Sequence, residues 1–368
     1  MIKTNMGHRK IQQVGRGSYI ISLPKEWVKK VELEKGSEVG LKLIEDSSLM
    51  LIPSKNIEEK DSTLPELKEY SIYVDKNDDP QSVCRKIIAL YVVSSNLIHI
   101  YFKDADVFAT HRKSIGNLVK NTLLGSEITD ETSNEIIIKT LIESDQFPVE
   151  QAIRRMAILA LSTIKYIVMV LKSMDEDLIH DILDTRNDVT RLNLYVVRQL
   201  KFGIEQDIFE DLGFKTPKEF LGYRIVANDI RSITDSAMNI ANKLVTIKKM
   251  IQNQTLFLKE TVDEETYSQI AKFNSLASVL LEDSLTALFK RDYEQADKVI
   301  SRADSFAVLE SDLAALIFSK KLDPNISSIF SLILDSLRQI IEYSRNIAEV
   351  TLNRTIEEAI DRDQKPHG

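Results

Sequence analysis

Gly15-Arg16-Gly17 is the first stretch whose residue types could do chemistry, because glycines flanking a cation can wrap a phosphate. A dinucleotide or P-loop site needs its glycines after a strand and ahead of a long helix, so that helical N–H groups face the phosphates. Here a strand pattern, SYIISL, follows the glycines, and neither a GK[ST] pair nor a third glycine appears. A hairpin turn needing positive φ accounts for the glycines. It leaves the cations around them unexplained. Between Met1 and Lys30 stand Lys3, Arg9, Lys10, Arg16, Lys25, Lys29 and Lys30 against the single acid Glu26. That stretch therefore carries +6 in a chain of net charge −8, and the rest carries −14. Such a patch, doubled by dimerisation, would bind DNA phosphates with a strong dependence on salt; the alternative is a solvated basic face.

Catalytic chemistry finds little support. His8, His99, His111, His180 and His367 show no HExxH spacing, and neither G-x-S-x-G nor CxxC occurs. His99 alternates within a strand pattern and reads as structural. The single cysteine, Cys84, excludes an intrachain disulfide framework and fits a reducing cytoplasm; within SVCRKIIALYVV it reads as a buried small hydrophobe. The most membrane-like window, Met156 to Met174, carries Lys165 near its centre and reads as a buried helix rather than a span. No signal peptide is visible, so a cytoplasmic location without membrane insertion is expected.

The elements that must position the basic residues are short. A chain of 368 residues, 43% hydrophobic and 28% charged, reads as two or three soluble domains. Residues 9 to 52 alternate β-rich runs, RKIQQV, SYIISL, EVGLKLIE and SLMLIP, with turns at Leu33 to Ser37 and Glu45 to Ser48. Pro24 opens a helix of a turn or two, and Trp27 is placed to staple the small core. Four short strands make a marginal core, so dimerisation is the expected remedy. A polar, proline-bounded linker spans 53 to 66, and a small α+β unit spans 67 to 147. From Pro148 onward six helices are expected, near 148–173, 175–202, 216–253, 263–290, 292–320 and 325–362. Their breaks are placed at Gly203, around Pro217, at Thr261 to Asp263 and at Asp323-Pro324.

The helical half is internally repeated. Tyr223 to Val245 can be laid on Phe330 to Leu352, so that Arg231 meets Arg338, Asp235 meets Glu342, and Asn239-Ile240-Ala241 meets Asn346-Ile347-Ala348. Two tandem three-helix bundles, over 148–258 and 259–362 with a tail at 363–368, are the simplest account, making the whole a mainly α multidomain chain.

The segment HRKIQQVGRGSYIISLPKEWVKKVELEKGSEVGLKLIEDSSLMLIP resembles the SpoVT/AbrB swapped-hairpin DNA-binding domain in its Gly15-Arg16 turn, Pro24, Trp27-Val28 and Gly36. The resemblance implies an intertwined homodimer over residues 1–52 whose DNA contacts fall on Arg9, Lys10, Arg16, Ser18 and Lys25. In turn, NDIRSITDSAMNIAN and DSLRQIIEYSRNIAE resemble the signature of PhoU, the phosphate-uptake regulator built from two three-helix bundles. Together the parts resemble archaeal phosphate-uptake regulators. This implies a DNA-binding transcriptional regulator of phosphate homeostasis and no enzyme, with a phosphate ABC transporter or its signalling partners in contact with the helical half. A PhoU-like interaction protein that uses the AbrB-like part only to dimerise is the alternative.

PhoU-type bundles hold multinuclear metal through acids at E/D-x-x-x-D spacing, since carboxylates at i and i+4 share a helix face and converge on a hard cation or iron. The resemblance assigns divalent metal or iron to Asp184, Asp188 and Asp235 in the first repeat and to Asp304 and Glu342 in the second. The sequence departs from that pattern, because Arg231 and Arg338 stand where acids are expected. An arginine repels a cation and can pair with the remaining acids, Arg231 with Asp235 and Arg338 with Glu342. A metal centre and a substituting salt-bridge network both stay open. The run Asp175-Glu176-Asp177 reads as helix capping.

Overall fold

The computed structural model describes residues 9–15, 17–43, 48–53, 68–142, 147–173, 175–206, 208–210, 212–253, 264–320 and 322–363. The chain divides into two units, Met1–Leu67 and Lys68–Gly368. In the first, β1 (Gln12–Val14) and β2 (Ser18–Ile20) form an antiparallel hairpin with Gln12 opposite Ile20. Gly15 turns it at φ 65°, a conformation that a Cβ disfavours. The strands are shorter than the β-rich runs suggested, because pairing within the chain ends at Ile20 and Gln12. Helix α1 (Lys25–Lys30) starts behind Pro24, whose φ of −62° is set for a helix start. A second hairpin pairs β3 (Val39–Leu43) with β4 (Leu49–Pro53), Val39 facing Pro53. Arg16, the tip at 44–47 and the linker residues 54–67 lie outside the described residues.

The second unit opens with a mixed sheet in the order β5-β6-β8-β7, made of β5 (Glu69–Val74), β6 (Leu97–Phe102), β7 (Ser126–Glu131) and β8 (Glu135–Thr140). β5 and β6 are parallel and the other pairs antiparallel. The parallel pair needs a crossover, which α2 (Pro80–Val92) provides; α3 (Ala105–Thr122) joins β6 to β7. Each helix starts on an aspartate cap, Asp79 accepting from the Ser82 amide at 2.8 Å and Asp104 from the Val107 amide at 3.0 Å. Alternation along the strands buries Ile72, Val74, Ile98, Ile100, Ile136 and Ile138 on one face, in one cluster with Cys84 and Ile87 of α2 and Ile115 of α3. The opposite face carries His99 between Glu69 and Glu135, with Tyr101 stacked on Tyr73 at 5.3 Å.

Six helices follow: α4 (Val149–Ser173), α5 (Glu176–Gln206), α6 (Glu219–Gln252), α7 (Glu264–Lys290), α8 (Tyr293–Ser319) and α9 (Pro324–Asp363). Their apolar stripes merge into one continuous core running from Val149 to Val350, so the two repeats share an interior. α6 and α9 run antiparallel along the seam, tied by Ser236 Oγ donating to Gln339 Oε1 at 3.2 Å. The expected break at Gly203 is absent. α5 runs on to Gln206 because Gly203 is the point where the helix meets Leu212 and Phe220; a Cβ there would lie 2.4 Å from Leu212 Cδ1. The Thr261 to Asp263 break lies outside the described residues. Asp175 does cap α5, accepting from the Asp177 amide at 2.9 Å.

α5 also joins the sheet to the bundles. Arg198, only 6% exposed, donates through Nη1 to the Tyr91 carbonyl at 2.7 Å, at the C-terminal end of α2. A buried guanidinium with no carboxylate beside it is tolerated there because the helix C-terminus is the negative end of the dipole. Lys165 is exposed on α4, and among the described residues no helix is long and apolar enough to cross a membrane.

Candidate functional site

Around the first hairpin the basic residues are displayed rather than packed. Arg9 and Lys10 precede β1, Ser18 starts β2, and Lys25 starts α1; all four are exposed. Lys29 and Lys30 extend the basic surface on α1, while Trp27 is half-buried beneath it. Arg16, the candidate at the hairpin turn, lies outside the described residues. The apolar residues of this unit are displayed too. Among those described only Pro53 is buried, while Ile11, Tyr19 and Leu41 are 69%, 72% and 65% exposed. Among the described residues of this unit the other apolar side chains are exposed or half-buried and form no closed core, which a second surface would complete.

In the helical half the acids expected to converge do not gather. Asp184 and Asp188 are exposed on α5 and line a cavity of about 560 Å³ whose other walls include Lys120, Arg186 and Arg191. Asp235 is held by two arginines, Arg186 Nε at 2.7 Å and Arg231 Nη1 at 2.8 Å. The i,i+4 pairing of Arg231 with Asp235 is thus present, reinforced from α5 by an arginine that lies between Asp184 and Asp188 in sequence. In the second repeat Arg338 does not take Glu342. It pairs with Asp335 at 2.5 Å and lies 3.7 Å from Glu310, because the i−3 carboxylate and the neighbouring helix offer oxygens on the same side. Asp304 is exposed and 3.5 Å from Arg345. Among the described residues no group of three or more His, Cys, Asp or Glu side chains is arranged to hold a metal ion.

Two features of the seam had no signal in residue spacing. Asp229 on α6 is 5% exposed, and its Oδ2 has no hydrogen-bond partner. Burial pushes its carboxyl up to about 6, against the lowering effect of a hydrogen bond from Asn346 on α9. The other is an ion network at the start of α6. Arg354 donates to Glu219 Oε2 at 2.5 Å and to the Tyr223 hydroxyl at 2.7 Å, while Arg291 bridges Glu219 and Glu358. These residues come from the start of α6, the α7–α8 turn and the last turns of α9, which only the fold brings together.

The family comparison then separates the two units. Residues 153–244, which cover most of α4, all of α5 and α6 to Leu244, match the PhoU domain. This stretch is therefore PhoU-like. Residues 12–59 match the family described as antidote-toxin recognition MazE, bacterial antitoxin. Among solved structures, the phosphate transport system regulatory protein PhoU from Streptococcus pneumoniae shares 16% identity at a TM-score of 0.45, covering 57% of this chain and 94% of that one. PhoU from Pseudomonas aeruginosa shares 15% identity at a TM-score of 0.49, covering 58% and 98%. No curated protein matches the sequence at a significant level. The chain is therefore a mainly α, multidomain protein with a MazE/AbrB-like N-terminal segment ahead of a stretch that matches the PhoU domain.

Proposed function

We propose that this protein is a cytoplasmic, homodimeric transcription regulator of phosphate uptake, addressing DNA through residues 1–52 and reading phosphate status through its PhoU domain. The observation that carries the reading is that a MazE/AbrB-like match over residues 12–59 carries exposed Ser18 and Lys25, directly follows exposed Arg9 and Lys10, and shows, among the described residues, apolar side chains that no core covers. A second copy covering Ile11, Tyr19 and Leu41 would complete the core and double the basic surface. Arg16 joins the DNA contacts on sequence grounds.

The PhoU domain supports the phosphate half of the reading, with a phosphate transporter or its signalling partners as the contact of the helical unit. Because the acids do not gather among the described residues, we assign Asp235, Arg186 and Arg231 to a salt-bridge network and leave the divalent metal or iron site at Asp184, Asp188, Asp235, Asp304 and Glu342 as the competing proposal. Sequencing the genomic fragments bound by the protein under phosphate starvation and excess tests the function. Enrichment at promoters of phosphate-transport genes that changes with phosphate supply supports it, and uniform or absent enrichment in both conditions contradicts it.

A further inference from the structure

The ion network at the start of α6 surrounds a cavity of about 420 Å³. Glu219 and Arg354 in its wall have side chains only 7% and 9% exposed. Burying charge is costly, and well-packed apolar residues can replace a buried ion pair without loss of stability. The chain itself demonstrates the apolar solution. Extending the internal overlay by a turn at each end places Ile326 where Glu219 stands and Ile247 where Arg354 stands, and both isoleucines are fully buried. The charged version therefore answers a need that packing alone does not impose.

One further observation at the α7–α8 turn points to a ligand. Arg291 caps the C-terminus of α7 in the left-handed conformation, φ 54°, with the Asp292 amide donating to the Ala287 carbonyl at 2.9 Å, and its guanidinium lines the cavity. Its Nε is buried without a hydrogen-bond partner, leaving a cationic donor unused. The carboxylate on its far side, Glu358, accepts from Arg291 Nη2 at 2.6 Å and from Lys215 Nζ at 2.9 Å, on a side chain 31% exposed near the end of α9. Leu221, Ile225 and Val350 add an apolar floor, with Leu221 71% exposed.

We propose that this cavity binds a small organic anion, its carboxylate or phosphate replacing Glu358 on Arg291 and Lys215 and its apolar part lying on Leu221, Ile225 and Val350. Glu358 is the built-in occupant: a carboxylate that holds the two cations in place and can be displaced by one with more to bury. A volume of this size suits a molecule of roughly a dozen heavy atoms and is far larger than inorganic phosphate requires. The cations contribute charge-assisted hydrogen bonds, which set the affinity, and the apolar floor sets the selectivity. Because the cavity is walled by α6 of the first repeat and by the α7–α8 turn and α9 of the second, occupancy would clamp one repeat to the other.

Calorimetric titration of the full chain at low salt tests this with three probes: phenyl phosphate, 4-phenylbutyrate and inorganic phosphate. Two variants move in opposite directions. Glu358→Gln frees both cations and should bind the aryl anions about tenfold tighter, while Arg291→Gly keeps the positive-φ turn, loses the guanidinium and should bind them about tenfold weaker. Comparison of phenyl phosphate with 4-phenylbutyrate identifies the preferred head group, and either preference supports the site. Inorganic phosphate binding as tightly as the aryl anions would overturn the apolar-floor assignment. No binding of any probe at millimolar concentration to wild type and Glu358→Gln, or binding that Arg291→Gly leaves unchanged, would overturn the site. DNA binding is not read in this experiment, so its outcome stands apart from that of the regulator reading.

Discussion

Asp229 should make the protein less stable as the pH rises from mildly acidic to neutral. Its carboxyl sits between α6 and α9 with one oxygen unpartnered, and its value rises from 3.8 to about 6 through burial. A carboxyl raised on folding binds its proton more tightly in the native state than in the unfolded one. Stability is then greatest below the unfolded value, falls between 3.8 and about 6, and levels off above. A shift from 3.8 to about 6 corresponds to about 3 kcal/mol, of which about 2 kcal/mol develops between about pH 4.5 and pH 7.5. Many other carboxylates titrate in the same range, so the readout is the difference between wild type and Asp229→Asn, which cannot ionise. Urea unfolding followed by far-UV circular dichroism, which the six long helices dominate, measures that difference at each pH. Asn adds its own cost, because its amide hydrogens also need acceptors, but that cost is independent of pH. Asp229→Asn should therefore gain about 2 kcal/mol relative to wild type on going from about pH 4.5 to pH 7.5. A difference that stays constant across this range would refute the argument from burial.

His99 should titrate above its ordinary value of 6.5, raised first by the hydrogen bond to Glu135 and then by Glu69, so its contribution to stability is complete below 6.5 and lost as pH rises through the folded value. An imidazole NMR titration should show this, with Glu135→Gln lowering the midpoint more than Glu69→Gln. Gly203→Ala should destabilise the helical unit by about 1–3 kcal/mol through the clash with Leu212 and Phe220. Gly116→Ala, with nothing within 4 Å of the added methyl in α3, should instead stabilise by about 0.5–1 kcal/mol in the same denaturation assay. Removing Asp235 should cost more than removing Arg186, because it leaves Arg186 and Arg231 facing each other without their shared carboxylate. For side chains 30–38% exposed the Arg186→Ala cost is about 1 kcal/mol or less, and a double-mutant cycle measures the coupling.

Local signals carried most of the fold. The six helical patterns, the capping run Asp175-Glu176-Asp177 and Pro24 each act within a few residues, and the structure starts and ends these helices close to where they point. Gly203 shows the limit of that reasoning: a glycine reads as a break in sequence, yet here it lets α5 approach Leu212 and Phe220. The internal overlay was legible, and the seam respects it, because the Asp229–Asn346 and Ser236–Gln339 contacts join the two long helices in one antiparallel register.

The candidate site was legible where chemistry is local and opaque where it is not. A run of cations between Arg9 and Lys30 can be counted directly. By contrast, Arg186 lies among acids that share its helix, and only the packing of α5 on α6 delivers it to Asp235. Arg338 had two carboxylates within helical reach, Asp335 and Glu342, and rotamer and neighbours rather than spacing chose between them. The cavity beside Arg291 joins residues from three distant segments, so no motif could announce it.

Salt-dependent binding of duplex DNA is the measurement that most directly tests the role of the N-terminal unit. Arg9, Lys10, Arg16 and Lys25 contribute four cationic candidates per chain, or eight in a dimer. If all eight neutralise phosphates, the logarithm of the binding constant falls with that of salt concentration at a slope of about −7. Arg16→Ala removes two of the eight and should reduce the slope to about −5 while weakening binding at every salt concentration. Flat salt dependence, or an Arg16→Ala protein indistinguishable from wild type, would contradict the assignment of this segment to DNA.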